Sequence, residues 1–479
     1  MKSYFLFFIV LIFSLSCSNK KDDNQTQIPE NKTEKPNIII ILTDDAGYVD
    51  FGFMGSQNLK TPHIDSLAQS GVKFTDAHVS ASVCAPSRAG LITGQYQQRF
   101  GFEANHTGDE NSGDIGLAKD VKTMASVFKD NNYNTIAIGK WHLGAKNYNH
   151  PNNRGFDEFY GFLAGGRSYF PMKNPSLEHM LQFNGKRIEF EGYLTDVLGQ
   201  KSVDYVEENK DKPFFMYLSY NAVHTPMHAK EEDLKKFENH PRQTLAAMTW
   251  SLDENIGKLT NKLKNLGIFD DTLIFFLSDN GAAHDNDASS GYLKGFKGNE
   301  FEGGHRVPFV MTWPDKIKPN QTFEGLSSSL DIFQTAIAAA NIQQPDDIVL
   351  DGVNLLPYLN SNEKGNPHQK LFWRKLDESA ARLDNYKLVS LDTFGSTLYN
   401  LSVDISETHD ISSQDSIKFK EMVKNYKGWE SEMMKPLWRE GKAWENITYH
   451  IQKRLMQNKP VLYKSPTEKN KYLKNKNAK

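Results

Sequence analysis

Asn37-Ile38-Ile39-Ile40-Ile41-Leu42-Thr43-Asp44-Asp45 decides how this chain folds. Its unbroken aliphatic run leaves no polar face, the pattern of a strand covered on both sides in a parallel sheet. The run stops at two adjacent acids. Thr135-Ile136-Ala137-Ile138, Phe214-Phe215-Met216-Tyr217-Leu218 and Leu273-Ile274-Phe275-Phe276-Leu277 repeat the texture, and helical periodicity predicts helices over 61–70, 121–131, 195–208 and 244–266. Strands alternating with helices predict an α/β fold with a large mixed, mostly parallel sheet sandwiched by helices. Past Asp351-Gly352-Val353-Asn354-Leu355-Leu356-Pro357 the texture changes to short strand-like runs at 371–375, 386–391 and 397–401, then a helix-like stretch over 414–433. The expected organisation is an α/β domain over 36–359, a small C-terminal α+β subdomain over 360–457 with an antiparallel sheet and a helix, and a basic tail over 458–479.

The 479 residues carry 56 basic and 59 acidic side chains, a net charge of −3, so no nucleic-acid partner is expected. With two cysteines, Cys17 and Cys84, a disulfide framework is excluded. The N-terminal segment has Lys2 and then an apolar run over 4–15, too short to cross a bilayer as a helix. It reads as an export signal over 1–17, and Ser16-Cys17 resembles a lipobox in which Cys17 is lipidated. Residues 18–35 are polar enough to stay a disordered tether. The expected location is the outer membrane or cell surface through a lipid anchor, with the periplasm as the alternative.

Three of the predicted strands end in polar residues: Thr43-Asp44-Asp45, Gly139-Lys140-Trp141-His142 and Ser278-Asp279-Asn280. Open α/β sheets bind ligands outside the carboxyl ends of their strands. By themselves Asp44 and Asp45 read as cap or turn residues. Joined by Asp279 and Asn280, they offer three carboxylates and an amide oxygen, a donor set for a hard divalent cation such as Ca²⁺ or Mg²⁺ rather than zinc. The remaining piece is Val83-Cys84-Ala85-Pro86-Ser87-Arg88-Ala89-Gly90, in which Cys84 is either a buried structural thiol or a reactive one.

Cys84-Ala85-Pro86-Ser87-Arg88 fits a Cys-x-Pro-x-Arg signature, continued by Leu91-Ile92-Thr93-Gly94. Around it, in order, stand Asp44-Asp45-Ala46-Gly47-Tyr48, Thr61-Pro62-His63-Ile64-Asp65, Gly139-Lys140-Trp141-His142-Leu143-Gly144, His224-Thr225-Pro226, Asp279-Asn280-Gly281 and Glu302-Gly303-Gly304-His305-Arg306-Val307-Pro308. On these motifs, over about residues 36–430, the chain resembles the formylglycine-dependent (type I) sulfatases of the alkaline-phosphatase superfamily, bacterial polysaccharide sulfatases among them. The resemblance implies an alkaline-phosphatase-like fold and a sulfuric ester hydrolase. Cys84 would be converted to Cα-formylglycine by a formylglycine-generating or anaerobic sulfatase-maturing enzyme. Asp44, Asp45, Asp279 and Asn280, with an oxygen of residue 84, would hold one Ca²⁺.

The same resemblance assigns roles. Arg88 and the metal favour the nucleophilic alkoxide of residue 84, which attacks sulfur in line and gives a sulfo-enzyme. His224 and Lys297 contact and protonate the bridging oxygen, Lys140 binds sulfate and formylglycine, and His142 is the base that lets the geminal hydroxyl expel sulfate. Lys294, three residues before Lys297, is the competing candidate to face the site.

The remaining candidates carry less. His63 suggests a structural role. His106, His228, His284 and His305 fall on predicted loops, Arg154 and Arg167 are candidates for a second anionic group, and Phe156, Phe159, Tyr160 and Phe162 read as core before sugar platform. The expected substrate is a sulfated oligo- or polysaccharide, an algal polymer such as ulvan or carrageenan first and an animal glycosaminoglycan second. An arylsulfatase, a phosphonate or phosphoester hydrolase on the same scaffold, and a non-catalytic glycan-binding protein are the other readings. The last predicts a lost Cys84 motif or metal ligand, and none is lost.

Overall fold

The computed structural model describes Met1 and residues 35–105, 115–361 and 363–477. The export signal, Cys17, the tether up to residue 34 and His106 lie outside the described residues.

A ten-stranded sheet runs through the large domain in the order Gln321–Phe323, Val72–Phe74, Phe309–Thr312, Thr272–Ser278, Asn37–Thr43, Phe214–Ser219, Asn134–Lys140, Glu158–Phe162, Gln182–Phe183 and Lys186–Arg187. The five strands from Thr272–Ser278 to Glu158–Phe162 pair in parallel. Phe309–Thr312 is antiparallel to both neighbours, which makes the sheet mixed. The isoleucine strand is central and every residue in it is buried. Alternation sends Ile38, Ile40 and Leu42 into one apolar layer and Ile39 and Ile41 into the other. Helices Cys84–Thr93, Met124–Asp130 and Asp331–Ala339 cover the first face, and Pro62–Gln69, Leu194–Asn209 and Gln243–Asn265 the second. Each buried isoleucine contributes about 2 kcal/mol. Packing of the strand therefore fixes where its carboxyl end and the two acids after it must lie.

A second sheet, Lys370–Lys375, Glu378–Leu383, Tyr386–Leu391 and Gly395–Asn400, is antiparallel throughout. One face packs Phe372, Ala381, Leu388 and Leu398 on Met422, Tyr426 and Trp429 of the helix Ser416–Glu430. The other face packs Trp373, Val389 and Tyr399 on Phe301 of the large domain and on Met456, from the helix Lys442–Met456. The strand Glu378–Leu383 escapes the sequence pattern because its buried Glu378 and Arg382 break the apolar rhythm. Within the basic tail Pro466–Asn477 is helical, and the link before it stacks Tyr463 on His450 with ring centres 3.9 Å apart. No helix among the described residues is long and apolar enough to cross a membrane.

Candidate active site

The site is assembled where three parallel strands end. Thr43 pairs with Ser278, so Asp44-Asp45 and Asp279-Asn280 leave the sheet side by side, and the Asp279 amide donates to the Thr43 carbonyl at 3.0 Å. Asp45 turns at φ 65°, and its amide donates to Asp279 Oδ1 at 3.2 Å. Cys84 opens the helix Cys84–Thr93 against this pair, its Sγ 3.5 Å from Asp44 Oδ1 and 3.8 Å from Asp45 Oδ1. Ligand atoms of Asp44, Asp45, Cys84 and Asp279 all lie within 4.8 Å of one another, and all four residues are buried.

The donor set fits a hard cation on a second observation. Asn280 Nδ2 donates to Asp45 Oδ1 at 2.8 Å, while its buried Oδ1 has no hydrogen-bond partner. A buried acceptor left unmet costs about 1–3 kcal/mol unless something binds it. The crowded acids show the same demand: burial and then Asp44 push the Asp279 carboxyl up to about 6.

Three cations surround the acids. Arg88, one turn after Cys84, donates from Nε to Asp279 Oδ2 at 2.8 Å and from Nη1 to Ser219 Oγ at 2.5 Å. Lys140 Nζ meets Asp44 Oδ2 at 2.5 Å. The residue before it, Gly139, has φ +99°, and a Cβ there would lie 2.0 Å from the Ser219 carbonyl oxygen, so only glycine lets the strand deliver Lys140 here. Lys297 Nζ lies 2.7 Å and 2.8 Å from the two Asp45 oxygens. Burial lowers Lys297, but Asp45 and then Cys84 outweigh it and hold the ammonium well above its ordinary value. Burial raises Asp45, yet Lys297, His224 and Lys140 keep it below the usual carboxylate range. The Cys84 thiol is pushed up by burial despite Lys140 and Lys297, which makes an unmodified thiolate a poor resident of this site.

His224 Nε2 stands 3.6 Å from Asp45 Oδ2, with Nδ1 2.5 Å from the Thr225 carbonyl oxygen. Burial pushes its ring down to about 4. His142, at φ 61°, lies against Gly165, where a Cβ would sit 2.4 Å from Nε2, and the next residue, Gly166, faces the His224 ring. The two histidines thus flank one glycine pair. Lys294 does not face the site: its ammonium donates to the Glu407 carbonyl and to Asn458 Oδ1, both at 2.6 Å.

Of the other candidates, His284 stays near the site, its ring centre 6.0 Å from that of Phe296 beside Lys297, and the rest fall elsewhere. The His63 and Ile64 backbone amides donate to Asp253, which caps the helix Pro62–Gln69. Arg154 is spent on the carbonyls of Ala118, Lys119 and Val121. Arg167 is buried, 5.7 Å from the centre of the Phe162 ring. Phe156, Phe159 and Phe162 are core. His228 sits beside Ser168 and Phe170. The expectation that His305 lies on a loop is corrected: it is fully buried in the short helix Glu302–His305, with Nδ1 3.0 Å from His78 Nδ1 and its ring stacked on Trp373. Ser219 carried no sequence signal, because a serine at a strand end has no distinguishing neighbour.

A cavity of about 340 Å³ opens from Asp45, His224 and Lys297, and helix Lys442–Met456 forms its far wall. Residues 36–342 match the model of the sulfatase family, and residues 296–436 match the N-sulphoglucosamine sulphohydrolase C-terminal model. The chain belongs to the sulfatase family. Membership makes it a sulfuric ester hydrolase, and all the residues grouped at the strand ends lie within the first match. The chain is 33% identical to the uncharacterized sulfatase YdeN of Escherichia coli K12, covering 71% of this chain and 68% of that one. It is 31% identical to mouse N-acetylgalactosamine-6-sulfatase, covering 68% and 66%. The crystal structure of Ps i-CgsB in complex with k-i-k-neocarrahexaose superposes with TM-score 0.80 at 37% identity, over 88% of this sulfatase and 98% of that chain.

Proposed function

We propose that this sulfatase removes sulfate esters from an anionic polysaccharide, with carrageenan or ulvan ahead of an animal glycosaminoglycan. The observation that carries the reaction is the convergence of Asp44, Asp45, Asp279 and Cys84, with Lys140 against Asp44, at the inner end of a cavity lined by Asp45, His224 and Lys297. The likeness to Ps i-CgsB supports carrageenan, and the likeness to N-acetylgalactosamine-6-sulfatase supports the second choice. The leader ending at Cys17 supports export and a surface location.

Asp44, Asp45, Asp279 and Asn280 would hold a Ca²⁺, and residue 84 would be formylglycine. Together these groups supply a hydrated aldehyde nucleophile and a Lewis acid for the sulfate oxygens. Arg88 fixes Asp279, and Lys140 fixes Asp44 while placing positive charge where a sulfate group must sit. Lys297, held protonated by Asp45, is the proton donor at hand for the bridging oxygen. His224 donates a hydrogen bond from Nδ1 to the Thr225 carbonyl, which leaves Nε2 facing the cavity beside Lys297 to contact the bridging oxygen as it becomes the leaving alcohol. His142, beyond Lys140, is the base.

The test is sulfate release from carrageenan, ulvan and glycosaminoglycan oligosaccharides by protein with formylglycine confirmed at position 84, beside Cys84→Ala. Release by the former alone is expected. Hydrolysis of a phosphonate monoester with no sulfate release from any saccharide would move the reading to a phosphonate hydrolase.

A further inference from the structure

The outer wall of the cavity comes from a part of the chain that family membership does not describe. Helix Lys442–Met456 and Lys464 lie beyond residue 436, where the C-terminal family match ends. On this helix Trp444, Ile447 and Ile451 share one face at a spacing of three and four residues, and all three line the cavity. Ile447 and Ile451 are buried at 1% and 8% exposure, whereas Trp444 at the first turn remains 44% exposed. A large aromatic ring left half in solvent, on a wall whose other apolar residues are covered, is available to a ligand.

Two lysines also line this wall. Lys375 is buried and paired with Glu440 at 3.5 Å. Lys464 is held at the start of the last helix, where its backbone amide donates to Glu468 at 2.7 Å, and its ammonium lies 5.1 Å over the Phe296 ring. Phe296 immediately precedes Lys297, so the wall and the proton donor meet across one residue. The cavity therefore has a charged inner end at Asp45, His224 and Lys297 and an outer end that offers an aromatic face and a cation.

We propose that Trp444 and Lys464 form a second sugar subsite, binding the anionic residue next to the one that loses its sulfate. The indole takes the C–H face of that pyranose ring, and the ammonium takes its sulfate or carboxylate. The preferred substrate is then a saccharide chain with charge on adjacent residues rather than a monosaccharide or aryl ester. This rests on the sulfatase reading above.

The test compares matured wild type, Trp444→Ala, Trp444→Phe and Lys464→Gln on 4-nitrophenyl sulfate and on carrageenan, ulvan and glycosaminoglycan oligosaccharides, each beside its own sulfated monosaccharide. On the saccharide cut fastest, Trp444→Ala should lose about tenfold more kcat/KM than on the monosaccharide, chiefly through KM. Trp444→Phe should recover most of that loss. Lys464→Gln should lose a similar factor and flatten the dependence on salt. Equal losses on long and short substrates, or wild type that cuts the aryl sulfate but no saccharide, would overturn the subsite while leaving the sulfatase. No sulfate from any substrate, with formylglycine confirmed, would overturn the sulfatase reading and the subsite with it.

Discussion

Two of the buried clusters of opposite charges among the described residues are built from the same kinds of residue, and only one of these two lies at the candidate active-site cavity. At the junction of the two sheets, Glu302 meets Lys387 at 2.9 Å, Arg306 at 3.2 Å and Arg382 at 3.6 Å. Asp76 takes Arg382 at 3.1 Å and His78 at 2.8 Å, and His78 and Lys387 each lie 3.0 Å from His305. His78, Glu302 and His305 are near enough to cage an ion, but their ring nitrogens are spent on one another, on Asp76 and on Lys387. Both clusters strain a buried acid, Glu407 of the junction being pushed up to about 7 and Asp279 of the strand ends to about 6, but at the strand ends Asn280 Oδ1 is unmet beside a cavity that Asp45 lines. Charge alone does not mark a catalytic centre. A centre has convergent groups that the protein leaves incompletely satisfied, beside room for something else.

The clearest way to break this contrast is to swap the consequences of mutation. Lys140→Ala and Lys297→Ala should each lower sulfate release about a thousandfold, roughly 4 kcal/mol of transition-state stabilisation, with circular dichroism unchanged. A loss under tenfold in both would remove the site from this cluster. Glu302→Gln and Lys387→Met should do the reverse, costing about 3–5 kcal/mol in urea unfolding while folded enzyme keeps its activity within a few-fold. Stability unchanged to within 1 kcal/mol would mean that the junction holds nothing together.

The junction also sets acid lability. Burial raises the Asp76 carboxyl, but Arg306 and Arg382 outweigh it and hold it well below its ordinary 3.8. A depressed folded-state value gives stability that is present above pH 3.8 and lost as pH falls through the folded value. Asp76→Asn should therefore cost about 2 kcal/mol at pH 7 and narrow its gap from wild type as pH drops below 4. Parallel stability curves for the two proteins would contradict this.

How much of this was legible in the sequence follows from what each element buries. The strand Asn37–Thr43 was readable to within a residue because both its faces are apolar, and the acids after it inherit that certainty. Cys84 and Arg88, one turn apart, were readable from their motif. The strand Glu378–Leu383 was not, because buried charges in it answer to partners distant in the chain, as Arg382 does to Asp76. His305 misled for the same reason, its environment being supplied by His78 and Lys387. Nothing in the sequence singles out Trp444 and Lys464, which meet only where the chain past residue 441 folds back over the cavity. Lys294 and Lys297 could be separated only by where Asn458 and Asp45 stand.

The measurement that tests most directly whether the strand-end cluster is the site is the melting temperature of metal-free protein across a Ca²⁺ titration, for wild type, Asp279→Ala and Glu302→Gln. Wild type and Glu302→Gln should both gain stability, about 1.4 kcal/mol at tenfold over the Kd, and Asp279→Ala should gain none. No gain in wild type, or an equal gain in Asp279→Ala, would contradict a cation site at the strand ends.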